Sequence, residues 1–331
     1  MTTMIAMQLH NVNQQLQRVE LLIPKPSANE ILIKISACAI CRTDLHIIDG
    51  ELKDSYFPII PGHQIVGRVV ELGKKVTGFN LNQRVGVPWV GETCGYCEFC
   101  LDKKENLCDN AIYTGYQRNG GFAEYCVANA NYCFNIPNNY TDTEATPLLC
   151  AGLIGYRSFK NIQNSVKKIG IFGFGSAAHI ITQVAVFLDK EIYAFTKPND
   201  IEAQKFALKL GATWAGSTND MAPHLLDAII IYAPVGELVP KALKSINKGG
   251  MVVCAGIHMS DIPSFPYEIL WGERSVCSVA NLTKQDGIEF LALAEKFTIH
   301  TKIHTYPLSQ VNIALDDLRN GRFTGTGVIV I

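Results

Sequence analysis

The sequence predicts an α/β protein with a β-rich first half followed by a doubly wound parallel sheet. Three observations carry the prediction. Up to about Glu71, short β-rich runs are separated by proline-marked turns. From Lys167, apolar runs of strand length alternate with stretches of helix length. A glycine turn, Gly173-Phe174-Gly175-Ser176-Ala177-Ala178, lies between the first of those strands and the helix after it. The 331 residues suit two domains of roughly 150 each.

In chain order, Glu30-Ile31-Leu32-Ile33-Lys34-Ile35 reads as a strand, and Ile65-Val66-Gly67-Arg68-Val69-Val70 as a second. Pro24, Pro26, Pro58 and Pro61 punctuate this region. Arg84-Val85-Gly86-Val87-Pro88 is a further strand, residues 91–108 are a cysteine-rich loop, and residues 120–125 turn into another strand. Thr141-Asp142-Thr143-Glu144 starts a helix over 141–156, with a capping hydroxyl and a carboxylate in the first turn. Strands follow at 168–172 and 191–195, helices at 179–188 and 201–210, and strands at 226–232 and 250–255. A helix over 285–297 and a strand over 327–331 close the chain. The expected domains are 1–150, 151–281 and a returning segment 282–331.

Charge narrows the function. The formal net charge is -1 with no basic block, which argues against nucleic acid as a partner. The N-terminus lacks a basic region followed by an apolar run, so the expected location is the cytoplasm. The most apolar window, 168–188, carries Gly170, Gly173, Gly175, Ser176, His179, Thr182 and Gln183. Strand, turn and helix explain it better than a membrane span.

Four of the 11 cysteines fall close together, Cys94-x2-Cys97-x2-Cys100-x7-Cys108. Without an export signal this spacing reads as metal binding rather than disulfides. Four thiolates make a closed tetrahedral zinc site, which is structural because no position stays open. An iron–sulfur cluster, which also uses four cysteines, and unliganded thiols are the rivals. Cys38, Cys126, Cys133, Cys254 and Cys277 read as packing.

The glycine turn reads as a dinucleotide loop. Gly173 permits a tight turn, Gly175 lets a pyrophosphate approach the backbone, and Ala178 fills the third small position. Phe174, Ser176 and Ala177 complete it, and the helix N-terminus offers amide donors to phosphate. Cofactor choice is read after the next strand, where Thr196 and Lys197 stand and no carboxylate does. A hydroxyl and an ammonium suit a 2′-phosphate, so NADP(H) is favoured over NAD(H). Ala255, Gly256 and Ile257 follow another strand and are further cofactor candidates.

Cys41-Arg42-Thr43-Asp44-Leu45-His46 and Pro61-Gly62-His63-Gln64 are the richest stretch chemically. Thiolate and neutral imidazole are the ligands zinc prefers, and three protein ligands leave a fourth position open. Cys41 and His63 supply two, and Cys150 is the candidate third. Taken singly, Cys41 reads as a buried thiol and His63 as a turn histidine. Jointly they read as a site.

These motifs together resemble the zinc-dependent alcohol dehydrogenases of the medium-chain dehydrogenase/reductase superfamily, over nearly the whole chain. The resemblance implies a GroES-like catalytic domain, a Rossmann coenzyme domain, a last segment that returns to the catalytic domain, and an active site in the cleft between the two domains. It implies two zinc ions per chain: a catalytic one on Cys41, His63 and Cys150 and a structural one on Cys94, Cys97, Cys100 and Cys108. By the same likeness Thr43 takes the alcohol proton and His46 relays it. Arg42 meets a cofactor phosphate, Asp44 orients the ligating imidazole, and Trp89 lines the pocket of a small alcohol or aldehyde. A homotetramer or homodimer is the implied assembly.

Two departures stand out. Gln64 occupies a position that is usually glutamate in the family, and the segment Gly321–Gly327 lacks an arginine often found before the last strand. Two other functions compete. A zinc-free quinone or enone reductase lacks the three metal ligands present here. A redox sensor would bind zinc and nucleotide without turnover.

Overall fold

The computed structural model describes residues 2–52 and 56–331. The chain divides into two compact units, one of Met1–Cys150 with Asn281–Ile331 and one of Ala151–Ala280. Asn281, expected at the end of the second domain, thus stands first in the returning segment.

The first unit is built on a seven-stranded sheet. Its order is Ile303–Pro307, Thr326–Val330, Glu30–Ala39, Gln64–Leu72, Arg84–Val87 and Phe134–Asn135, with Tyr125–Asn129 also paired to Glu30–Ala39. Pairing is antiparallel except between the two C-terminal strands. The central strand Glu30–Ala39 is buried over most of its length. Its sequence is therefore a near-continuous apolar run rather than a strict alternation.

Two local features differ from the sequence reading, and both aim functional side chains. Arg42–Ile48 is a helix, although Thr43, Ile47 and Ile48 are β-branched and disfavour one. Capping prevails: the Cys41 side chain accepts from the Thr43 amide, and Asp44 reaches back to the Cys41 amide. The helix expected over 141–156 is instead broken into Asp142–Ala145, a 3-10 turn Thr146–Leu149, and Ala151–Lys160. The predicted Thr141–Glu144 capping box is present. Pro147 cannot donate to a continuous helix, and Cys150 falls in the break with φ -134° and ψ -68°.

The second unit is a six-stranded parallel sheet in the order Trp214–Ser217, Glu191–Thr196, Lys168–Phe172, Leu226–Ile231, Ile246–Cys254 and Ser275–Ser278. The order reverses beside Lys168–Phe172, which creates the switch point where such sheets bind nucleotides. Phe172, Tyr193, Phe195, Leu226, Ile229 and Ile231 join one core cluster with Leu238, Leu243 and Val252. The short strands Trp214–Ser217 and Ser275–Ser278 and the helices Leu238–Lys244 and Val311–Arg319 had no clear sequence signal. Two of them contain a Gly or a Pro, Gly216 and Pro240. At the strand's start, Asp227 accepts from the amides of Lys167 and Lys168 at 3.0 and 2.9 Å, and from Asn247 Nδ2 at 3.2 Å. Burial would raise its pKa, but those donors hold it below the usual value.

Candidate active site

Cys41, His63 and Cys150 meet. Their ligand atoms all lie within 4.8 Å of one another, with Cys41 Sγ 3.2 Å from His63 Nε2. Each comes from a different device: an N-cap, the residue before strand Gln64–Leu72, and the helix break at 150. Gly62 makes the approach to His63 with φ +96°. A Cβ there would fall 2.8 Å from the Phe122 ring and 2.9 Å from Cys38 Sγ, so only glycine fits.

Asp44 supports this trio from behind. Its Oδ1 lies 3.2 Å from His63 Nδ1 and also accepts from the Gly62 amide at 3.2 Å; its Oδ2 accepts from the Cys41 amide at 2.8 Å. With a cation in the cluster, the imidazole would donate through Nδ1 to Asp44 and offer its Nε2 lone pair to the ion.

The electrostatics call for positive charge at the centre. A hydrogen bond from Cys150 and the charge of His63 hold the Cys41 thiol well below its ordinary pKa, despite burial. Cys150 is pushed well above, because Cys41 and burial both favour its proton. Burial would lower His63, but Cys41 and Asp44 raise it well above the ordinary value. Burial also lifts Asp44. Two half-buried sulfurs beside an imidazole backed by a buried carboxylate suit a divalent cation, and S, N, S is a zinc-type donor set.

The proposed proton path lies on the same capped helix. Thr43 and His46 are both buried, and Arg42 is exposed. His46 Nδ1 makes a very short contact with Glu51. Sequence reading missed Glu51; a carboxylate five residues beyond His46 was the available signal.

Trp89 packs edge-on against His63 at 5.1 Å, and its other neighbours are Tyr113, stacked at 4.9 Å, and Tyr116 at 5.9 Å. Gln64 is wholly buried, and neither its amide oxygen nor its nitrogen has a hydrogen-bond partner. A neutral amide tolerates that isolation far better than a carboxylate would.

The four-cysteine loop also closes on itself. The sulfurs of Cys94, Cys97, Cys100 and Cys108 lie within 4.8 Å of one another, and Cys94 and Cys100 are 3.9 Å apart. Four sulfurs at about 2.3 Å from one ion stand about 3.8 Å apart, so the loop fits tetrahedral zinc. Backbone amides at Tyr96 and Cys97 hold Cys94 at about 6, already poised as a thiolate. Among the described residues these two clusters are the only Cys/His/Asp/Glu groups of metal-binding geometry. The five cysteines read as packing belong to neither.

In the second unit Gly173 turns at φ +90°, where a Cβ would fall 2.7 Å from the Ala233 amide nitrogen. Gly175 caps the helix Ser176–Phe187, and the space where its Cβ would point is open. Phe174 stands between the two glycines, and Ser176 and Ala177 open the helix. Thr196 needs a correction as a phosphate contact. It is 1% exposed, and its hydroxyl donates to the carbonyls of Lys197 and Gly216 and accepts from Gln204. The strand's last residue is turned into the sheet, which leaves the exposed Lys197 as the cation beside it. Ala255, Gly256 and Ile257 follow strand Ile246–Cys254 at its carboxyl end. Arg322 binds Asp316 and Asp317. No helix among the described residues is long and apolar enough to cross a membrane.

A GroES-like unit with a three-ligand S, N, S cluster, joined to a parallel dinucleotide-type unit, defines a zinc- and nicotinamide-dependent oxidoreductase. The comparisons agree. Residues 27–138 match the alcohol dehydrogenase GroES-like domain. The protein named Probable alcohol dehydrogenase AdhA of Mycobacterium tuberculosis is 41% identical over 323 residues, covering 96% of this chain and 93% of its own. An alcohol dehydrogenase of a Moraxella species is 34% identical, with 97% of each chain covered. A cinnamyl alcohol dehydrogenase structure from Sorghum bicolor superposes with a TM-score of 0.91 at 25% identity, covering 99% of this chain and 98% of that one. The chain belongs to the zinc-dependent alcohol dehydrogenases of the medium-chain dehydrogenase/reductase superfamily. It is an NAD(P)-dependent enzyme interconverting alcohols with aldehydes or ketones, and the zinc-free reductase and sensor readings are not favoured.

Proposed function

We propose that Cys41, His63 and Cys150 hold the catalytic zinc, that Cys94, Cys97, Cys100 and Cys108 hold a second, structural zinc, and that the preferred coenzyme is NADP(H). The observation that carries this reading is the convergence of two sulfurs and an Asp44-backed imidazole within 4.8 Å. When bound, zinc supplies Lewis acidity to the substrate oxygen and the nicotinamide accepts or returns the hydride.

The chain's own residues then manage position and protons. Asp44 fixes the His63 tautomer. Thr43 takes the hydroxyl proton of the alcohol, and His46 carries it onward because a threonine hydroxyl is too weak an acid to act alone. Glu51 holds His46 through Nδ1. Trp89 walls the pocket beside His63 and favours small, unbranched alcohols. Gly173, Gly175 and the amides of the helix at Ser176 bind the pyrophosphate, Arg42 adds a phosphate contact, and Lys197 meets the 2′-phosphate. Thr196 is left out of that contact. Ala255, Gly256 and Ile257 stand beside the coenzyme at the sheet's carboxyl edge. We propose a cytoplasmic homotetramer or homodimer.

A panel of straight-chain, branched and aromatic aldehydes, followed by NADPH and NADH loss, tests the reading. Faster turnover of short aldehydes with NADPH supports it. Equal turnover with both coenzymes contradicts the preference, and no reduction of any aldehyde contradicts the catalytic assignment.

A further inference from the structure

We infer that Asn281 is a positioning residue: one side-chain amide holds Trp89 in place beside His63 and fastens that contact to the four-cysteine loop. Its Oδ1 accepts from Trp89 Nε1 at 3.2 Å. Its Nδ2 donates to the Asn106 carbonyl and to the Tyr113 hydroxyl, both at 3.0 Å. Both amide hydrogens and the oxygen are thus used, on three different segments of the first unit.

Each segment has a stake in the site. Trp89 packs on the ligating imidazole, and Tyr113 stacks on the indole at 15° between planes. Asn106 lies in the short 3-10 helix Glu105–Leu107, between the third and fourth cysteines of the loop. Lys284 tethers the same turn through its amide to Glu105 at 2.7 Å. Trp89 is only 7% exposed, so its single polar hydrogen depends on a protein acceptor. Asn281 itself adopts φ 54°, a left-handed conformation that asparagine enters more readily than most residues. Backbone and side chain both select asparagine here.

A purely structural role would make Asn281 a turn residue only, and the two roles separate by experiment. The inference rests on Trp89 being a wall of the substrate pocket, so Trp89→Ala is measured alongside. The full-length zinc-loaded enzyme is used, with Trp214→Phe and Trp271→Phe leaving Trp89 as the sole indole of the three in the chain. Asn281→Gly keeps the left-handed backbone and removes the amide. The expected result is red-shifted, more quenchable Trp89 emission. The ratio of kcat/KM for a branched or aromatic alcohol over ethanol should rise about tenfold, as is also expected of Trp89→Ala. Asn281→Asp keeps the acceptor for Trp89 but loses the donor to Asn106 and to Tyr113, whose hydroxyl can donate to the carboxylate instead. It should show near-normal emission and specificity, with faster proteolysis in residues 91–108. If Asn281→Gly leaves emission and ratio unchanged while Trp89→Ala moves the ratio, Asn281 is a turn residue and the inference is wrong. If Trp89→Ala leaves the ratio unmoved, the pocket reading fails and takes the inference with it. Should Asn281→Gly not fold, Asn281→Asp decides: protease sensitivity with normal emission supports the role, and any other combination overturns it.

Discussion

His63 and Asp44 form a fully buried pair, with Nδ1 and Oδ1 3.2 Å apart and no solvent access to either side chain. The carboxylate also binds the amides of Cys41 and Gly62, so one side chain sets the backbone before two ligands and the tautomer of one. Asp44→Asn keeps the shape and gives up the charge. Zinc affinity at the Cys41 site should fall about 10–100-fold, the usual cost of losing such a partner. Chelator competition measures it, and an unchanged affinity would show that Asp44 is only a helix cap.

On the proposed assignment, the four-cysteine loop contributes stability rather than chemistry. Cys97→Ser should remove one metal per chain and open residues 91–108 to protease, because the short helices there carry almost no buried side chains of their own. The metal at Cys41, His63 and Cys150 should remain. Limited proteolysis with metal analysis checks both halves; a resistant loop in the variant contradicts the assignment.

Legibility varied with the range of the cause. Strands such as Lys168–Phe172 and the glycine turn were readable because their signals are local: apolar run, Gly and small residue in fixed spacing. The two Cys/His clusters were readable because few roles suit Cys and His together at those spacings. Helix Arg42–Ile48 was not, since a cysteine cap overrides unfavourable propensity. The break at Cys150 was hidden because a helix start and an apolar run surround Pro147. Thr196 was misassigned because sequence shows which residue ends a strand but not which way its hydroxyl turns. Asn281 and Glu51 were missed because their meaning lies in partners, several of them far along the chain.

Coenzyme choice should now rest on Lys197 alone. Lys197→Asp should raise KM for NADPH about tenfold, consistent with losing a charge-assisted contact, and should leave or improve KM for NADH. Steady-state kinetics with both coenzymes checks this. Thr196→Val should act through stability and spare the coenzyme ratio, since its hydroxyl bonds are internal.

Asp227 makes a pH-dependent contribution to the second unit. Asp227→Ala strands two backbone amides at the start of Lys168–Phe172 and should cost about 1.5–3 kcal/mol at neutral pH. The sign follows from its lowered pKa. The carboxylate's contribution is fully present above the ordinary aspartate value near 3.9 and is lost as pH falls through the lower folded value. Denaturant melts from pH 7 to pH 3 should show the gap between wild type and variant closing at the acid end. A constant gap would assign the loss to packing.

Zinc content of the purified enzyme, by mass spectrometry of the metal against protein concentration, tests the central claim most directly. Two ions per chain in the wild type and one in Cys150→Ser, with the four-cysteine loop still protease-resistant, is the predicted result. One ion per chain in the wild type, or two retained in Cys150→Ser, would contradict the assignment of Cys41, His63 and Cys150 as the catalytic metal site.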